Sequence, residues 1–435
     1  MAKKVMINTK TPRFMELEGL RGVAAVMVAL YHFLITFYAF AFFGDGTSMA
    51  TVPNNHFESV IHGNPIMAFV SGSFAVSIFF VLSGFVLSIG YFQTGRESII
   101  KKLAAKRYIR LMLPALASIL VCYLLIKLGL SNTYVASTIT HSGWLSVQWT
   151  FTPQIEDAFI NGIWGIFATG QSAYNNVLWT MMTEFIGSFL VFGFLLLFGQ
   201  SRHRRILYPI LILLTMSGWL LGFVLGMILA DLVANRVLIN KRRNIVFIAG
   251  LLLAAIFFGG YPFSTTQGTI YEFITVPNLV GTVNFVSLYT IVGATAVVSL
   301  VLMSTQITKI FARNPISGLG RYTFSLYLVH IPIIFTFSTY IFINLIKHFG
   351  YTASVGMTFL LSIPVIVASV CIFERYIDSP SIRLSSLFAA MYLGERDLSF
   401  IWRARRRLHR ITRVYLNKLR LRPRATEILS EEDAE

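Results

Sequence analysis

The sequence predicts an all-α polytopic membrane protein, a bundle of about ten transmembrane helices with both termini on the cytoplasmic side. Three observations predict it. The 435 residues are 55% apolar and only 13% charged, whereas a soluble globular domain carries about 25% charged residues. The apolar residues gather in runs of roughly 20, the length that crosses a hydrocarbon core of about 30 Å. None of these runs shows the repeating ten-residue alternation of an outer-membrane barrel, so their backbone groups must be satisfied within helices. A secreted domain and a cytosolic enzyme are thereby excluded. The excess of 36 Lys plus Arg over 19 Asp plus Glu becomes a record of topology, because positive residues stay on the cytoplasmic side.

The elements follow in order. Lys3, Lys4, Lys10 and Arg13 place the start of the chain inside. The run 20–43 comes next; it lacks a small-residue cleavage site at its far end and is expected to be a retained helix, not a signal peptide. Runs 67–92, 111–130 and 174–199 follow, with the basic stretch 101–110 and the cluster Arg202, Arg204 and Arg205 returning to the inside. The run 206–232 has positive clusters on both flanks, the second being Lys241, Arg242 and Arg243. One span would send that second cluster outside, and with it the arginine-rich tail. A hairpin turning near Ser217 and Gly218 keeps every cluster cytoplasmic, with limbs of only about 20 Å. Runs 245–263, 283–303, 322–346 and 353–373 complete the set.

Residues 1–381 thus read as an integral membrane domain and 382–435 as a cytoplasmic basic tail. Leu408, Ile411, Tyr415 and Leu419 fall at helical spacing in that tail, which suits a helix on the anionic lipids of the inner leaflet. The last nine residues are acidic. Two external segments, 131–173 and 264–281, are long enough to matter. The first holds Trp144, Trp149 and Trp164, and its stretch 158–168 is too short to cross; an interfacial helix with its aromatic belt is expected there, with docking of an external partner as the sharper reading. Cys122 and Cys371 both sit in apolar runs, so neither a disulfide framework nor a metal cluster is expected. No soluble basic domain suggests nucleic acid.

Ionisable residues inside spanning helices are costly and mark sites or pathways. His32, Glu184 and His330 stand out, roughly 18, 15 and 12 Å in from the nearer helix ends at 1.5 Å per residue. A shared polar cavity is the economical explanation. Arg21 and His32 are eleven residues apart, which returns a side chain to within about 20° on a helix, so they occupy one face. Taken singly, Arg21 is also compatible with a snorkelling anchor and His32 with a helix-to-helix hydrogen bond. Lys106, Arg107 and Arg110 lie on a polybasic edge that topology and lipid headgroups would explain. Arg107 and Arg110, however, point the same way at i and i+3, where two planar forks can grip a phosphate or a polarised carbonyl. Ser83, in Phe79-Phe80-Val81-Leu82-Ser83-Gly84-Phe85, lacks the strand-turn-helix setting of a nucleophile elbow, and packing against Gly84 is favoured.

At these residues the chain resembles the acyltransferase-3 family of integral membrane O-acyltransferases. The opening Leu17-Glu18-Gly19-Leu20-Arg21-Gly22, with His32 after ten intervening residues from Arg21, is similar to that family's first helix. The likeness runs through Phe79 to Phe85, Arg107-x-x-Arg110 ahead of Pro114, Leu178-Trp179 with Glu184, Gly320 through Tyr327 to His330, and Glu374 to Pro380. It spans roughly residues 14–381 in the family's order. Asp378 stands where the family often has Glu, and a stand-alone membrane domain without a fused periplasmic SGNH-type domain is expected.

The resemblance implies transfer of an acyl group, commonly acetyl, from cytoplasmic acyl-CoA to a hydroxyl of a saccharide or glycoconjugate at or beyond the outer face of a bacterial inner membrane. It implies His32 as general base, Glu184 orienting the acceptor or the imidazole, and Arg21, Arg107, Arg110 and Lys106 holding the donor. His330, Ser83, Trp179 and Tyr327 are expected around the cavity, with no metal and no permanently bound cofactor. The residues alone leave other classes open. A secondary transporter or flippase also uses midplane carboxylates and histidines, although no internal repeat relates the two halves. A silent scaffold or sensor would use the basic tail and aromatic loop. Oligomeric state has no signature.

Overall fold

The computed structural model describes residues 14–44, 47–50, 52–170, 172–237, 245–276 and 283–394. Among these residues every expected apolar run is helical and no strand forms. The principal helices are α1 (Met15–Phe37), α2 (Gly72–Thr94), α3 (Glu97–Lys127), α4 (Asn176–Phe198), α5 (Leu207–Thr215), α6 (Leu220–Ala234), α7 (Ile245–Gly259), α8 (Phe285–Met303), α9 (Ile316–Leu345) and α10 (Tyr351–Tyr392). Seven of them, α1–α4 and α8–α10, are long and apolar enough to cross a membrane. At 1.5 Å per residue α5 reaches about 14 Å and α6 and α7 about 22 Å, short of a hydrocarbon core of about 30 Å.

Several boundaries differ from the sequence reading. The first helix begins at Met15, ahead of its apolar run, because Glu16 and Glu18 in the first turn suit a helix N-terminus. It stops at Phe37, and a separate short helix, Phe40–Phe43, follows. The third helix begins at Glu97 and takes in the whole basic stretch, since Lys and Arg are good helix formers and their long side chains reach polar surroundings. The run 206–232 breaks at 216–219 into α5 and α6, which pack on each other. Asp231 on α6 is fully buried and bound by Arg204 (2.5 Å), Arg205 (3.2 Å) and Tyr208 (3.1 Å), so the polar base of this pair is neutralised internally.

Small residues bring the helices close, as expected where lipid removes the ordinary hydrophobic drive between them. A Cβ at Gly84 would meet the Phe223 carbonyl oxygen at 2.1 Å, and one at Gly226 the Val81 oxygen at 2.0 Å, so α2 and α6 touch backbone to backbone. On α1, a Cβ at Gly19 would meet the Phe311 oxygen at 2.1 Å and one at Gly22 the Leu319 Cβ at 2.4 Å. These contacts seat the short helix Thr305–Ala312 and the start of α9 against α1. The segment 131–173 is only partly interfacial: Trp164 is 66% exposed on the helical stretch 155–168, whereas Trp144 and Trp149 turn inward onto Phe335. The Trp149 Nε1–H donates to the Tyr174 carbonyl at 2.7 Å, which offsets the burial of the indole nitrogen.

The chain divides into two compact units, residues 1–385 and 386–435, and of the second only 386–394 are described. The basic N-terminal segment, the cluster at 241–243 and the amphipathic tail with its acidic end lie outside the described residues.

Candidate functional site

Two cavities meet inside the bundle. One, of about 140 Å³, is walled by Arg21, Arg107, Arg110, Glu184 and Ser83 and is called here the basic chamber. The other, of about 370 Å³, is walled by His32, Trp144, Trp179, Trp219, Gln148 and Asn176 and is the aromatic chamber. Val76 of α2 and Tyr327 of α9 line both, so these two side chains form the partition. The Tyr327 hydroxyl donates to the Val177 carbonyl at 2.7 Å and lies 2.8 Å from the Thr180 hydroxyl, which holds the ring in place.

In the basic chamber the two arginines one helical turn apart on α3 face the same space, as their spacing requires. Each has its own carboxylate. Arg107 is paired with Glu184 of α4, which also accepts a hydrogen bond from the Ser83 hydroxyl at 2.8 Å. Arg110 is paired with Asp378 at 2.5 Å, donates to Ser381 at 3.1 Å, and lies over the Phe324 ring at 5.1 Å. Asp378 stands on a π-helical turn, Glu374–Asp378, whose other acid forms a two-point contact with Arg321 (2.8 and 3.0 Å). The motif from Glu374 to Pro380 therefore anchors two arginines of other segments. Among the described residues, Arg21 is held by a 3.5 Å contact with Glu18. Arg107 Nε is buried with no hydrogen-bond partner among the described residues, a donor left over for an anionic or carbonyl oxygen.

His32 lines the aromatic chamber and is backed by a second, buried histidine, His330. His32 Nδ1 lies 2.9 Å from the Val28 carbonyl oxygen of its own helix and 3.2 Å from His330 Nε2. His330, fully buried, places Nδ1 2.8 Å from the Leu326 oxygen. A carbonyl oxygen only accepts, so in two neutral rings both Nδ1 atoms carry the proton. The His32 Nδ1–H is then shared between Val28 and the His330 Nε2 lone pair. His32 Nε2 is left as a free base on a ring that lines the chamber. Trp144 and Tyr31 flank that ring with centroids 5.8 and 5.0 Å away.

The structure gathers the residues singled out in the sequence into two groups where one was expected. Arg21, Arg107, Arg110, Glu184 and Ser83 form one, and His32, His330 and Trp179 the other, with Tyr327 between. Glu184 does not contact the imidazole: α4 turns its carboxylate toward α2 and α3, and His330 occupies the place beside His32. Ser83 donates to that carboxylate, while its neighbour Gly84 makes the close helix contact. Lys106 is not among the residues lining either chamber. Sequence reasoning missed Gln148, Asn176 and Trp219, none of which carries a charge or a motif. It quoted Asp378 without finding its partner Arg110. Among the described residues, no group of three His, Cys, Asp or Glu could hold a metal ion.

A family model described as an acyltransferase domain, Acyl_transf_3, matches residues 15–374. No curated protein and no solved structure matches the chain.

Proposed function

The chain belongs to the acyltransferase-3 family, and on that premise we propose that this membrane acyltransferase moves an acyl group, acetyl first among candidates, from cytoplasmic acyl-CoA to a hydroxyl of a saccharide or glycoconjugate. The observation that carries the reading is the His32 ring, its Nδ1 held between the Val28 carbonyl and His330 Nε2, on the wall of a chamber that adjoins a cluster of three arginines. A sugar hydroxyl is a poor nucleophile at neutral pH and needs a positioned base.

The basic chamber takes the donor. Arg107, Arg110 and Arg21 hold CoA phosphates, with Lys106 at the approach, and the thioester end passes Val76 and Tyr327 toward His32. Eleven residues of helix separate Arg21 from His32, about 16 Å along α1, so an extended donor is needed to connect the phosphate contacts with the base. In the aromatic chamber the acceptor hydroxyl gives its proton to His32 Nε2 as its oxygen bonds to the thioester carbon. The C–S bond then breaks, and the proton on Nε2 passes to the departing thiolate, giving an ester and free CoA. His330 acts through His32, its Nε2 lone pair accepting from Nδ1–H and stabilising the imidazolium, in the manner of the orienting group of a catalytic triad. Glu184 keeps Arg107 aligned. No step calls for a metal.

In this reading the basic chamber faces the cytoplasm and the aromatic chamber the outer side of a bacterial inner membrane, with the basic tail on anionic lipids. The test is a transfer assay in proteoliposomes with labelled acyl-CoA. His32→Ala is expected to abolish ester formation while the protein remains folded and membrane-inserted. Retained transfer in that variant would remove the mechanism. Glycan movement without acyl-CoA consumption would instead favour a transporter or flippase.

A further inference from the structure

Resting on the acyl-transfer reading, we infer that the sugar unit entering the aromatic chamber is uncharged, and that Asn176 and Gln148 recognise its hydroxyls. Three features of the chamber lead there. First, among the described residues no Asp, Glu, Lys or Arg lines it, although the basic chamber beyond Tyr327 contains three arginines and a glutamate. A carboxylate or phosphate brought into this space gives up its hydration and finds no counter-charge.

Second, a pair of amides is fixed in the wall. The Asn176 Nδ2 donates to Gln148 Oε1 at 3.1 Å, and Gln148 Nε2 donates to the Trp144 carbonyl at 3.0 Å. Each amide nitrogen retains a second N–H. Asn176 Oδ1 is buried with no hydrogen-bond partner among the described residues, and a buried amide oxygen is costly until a donor reaches it. Two N–H groups and one oxygen, held by each other and by backbone, match hydroxyls that both donate and accept.

Third, Trp144, Trp179 and Trp219 all line the chamber, with the last two rings 5.4 Å apart. Flat apolar faces beside fixed neutral amides suit a ring with C–H faces and a hydroxyl rim. Trp144 also lies against His32, so a ring placed on it presents an edge to the base. Acceptors whose reacting unit is a uronic acid or a phosphorylated sugar are excluded, whatever charge the rest of the glycan carries.

The test reads binding on the detergent-solubilised full chain by tryptophan emission. The probes are methyl glucoside, methyl glucuronide and the methyl ester of methyl glucuronide, which share a ring and differ in charge. The glucoside and the ester are expected to shift emission saturably, with the anion at least about tenfold weaker. Asn176→Leu should weaken the neutral ligands by about tenfold. Val147→Lys, at a chamber residue that is 62% exposed and so tolerant of change, should recover binding of the anion. Equal binding of glucoside and glucuronide, no response to any glycoside, or an unchanged response in both variants would overturn the proposal. Consumption of labelled acyl-CoA by the same preparations reports separately: loss there with glycoside binding intact would sink the transfer reading and leave the neutral site standing.

Discussion

His330 Nε2 lies 3.2 Å from His32 Nδ1, a contact between residues 298 positions apart in the chain. Each ring is tied back to a carbonyl four residues earlier on its own helix, Val28 for one and Leu326 for the other. With both rings neutral, this pairing puts a proton on each Nδ1 and leaves Nε2 of His32 basic, on a ring that lines the aromatic chamber.

On the proposed mechanism, replacing His330 should damage the rate without removing the base. His330→Ala is expected to lower kcat for acyl transfer by about 10²-fold or more, with the KM for acyl-CoA little changed because the arginines are untouched. The pH–rate profile should shift as well, since the partner that steadies the His32 imidazolium is gone. A variant with a reduced amount of folded protein but an unaltered profile would make His330 merely structural.

The Arg107–Glu184 pair is largely buried, with 17% and 13% of the side chains exposed. Glu184→Ala leaves a guanidinium without its counter-charge and should cost about 3 kcal/mol of stability, read as a lower melting temperature in detergent. Adding Arg107→Leu to Glu184→Ala should restore part of that loss while abolishing acyl-CoA binding. A double variant as unstable as the single one would show that the carboxylate matters for another reason.

Close helix contact makes Gly226 intolerant. Its Cβ would fall 2.0 Å from the Val81 carbonyl oxygen and 2.8 Å from the Phe85 nitrogen, so Gly226→Ala should push α6 off α2 and cost about 1–3 kcal/mol. Gly218→Ala, where nothing lies within 4 Å, serves as the control and should be neutral in the same thermal measurement.

Outside the spanning helices, burial lowers the pKa of His62 from its ordinary 6.5. Below pH 6.5 the unfolded chain takes up a proton that the folded chain resists, so this residue's contribution to stability is complete above 6.5 and declines as pH falls. Burial raises the Glu58 carboxyl above its ordinary 4.5, which acts with the opposite sign, costing stability as pH rises above 4.5. Comparing wild type with His62→Gln isolates the first effect. The wild-type melting temperature should fall more between pH 7 and 5 than that of the variant, and parallel curves would contradict the assignment.

Much of the architecture was legible because helix length and phase are local properties. Apolar runs of membrane length marked the helices, and the break at 216–219 followed from the charge clusters that flank the run. The i, i+3 spacing of Arg107 and Arg110 placed both in one chamber. Phase also put Arg21 and His32 on one stripe of α1, but it did not show that Tyr327 and Val76 divide that stripe between two cavities. Glu184 carried the same signal as the histidines, a charge deep in an apolar run, yet its partner is Arg107.

By itself the sequence determined the membrane class, the helical runs, the family likeness and the list of polar residues that had to find partners. The tertiary structure alone decided which partners those are: His330 for His32, Arg107 for Glu184, Asp378 for Arg110. It alone brought Gln148, Trp144 and Asn176 from loop and helix start into one wall. The physical reason is that helix periodicity fixes a side chain's direction on its own axis, whereas the neighbour it meets depends on how helices dock. That docking is set by contacts such as Gly19 on Phe311 and Gly22 on Leu319, which join segments hundreds of residues apart.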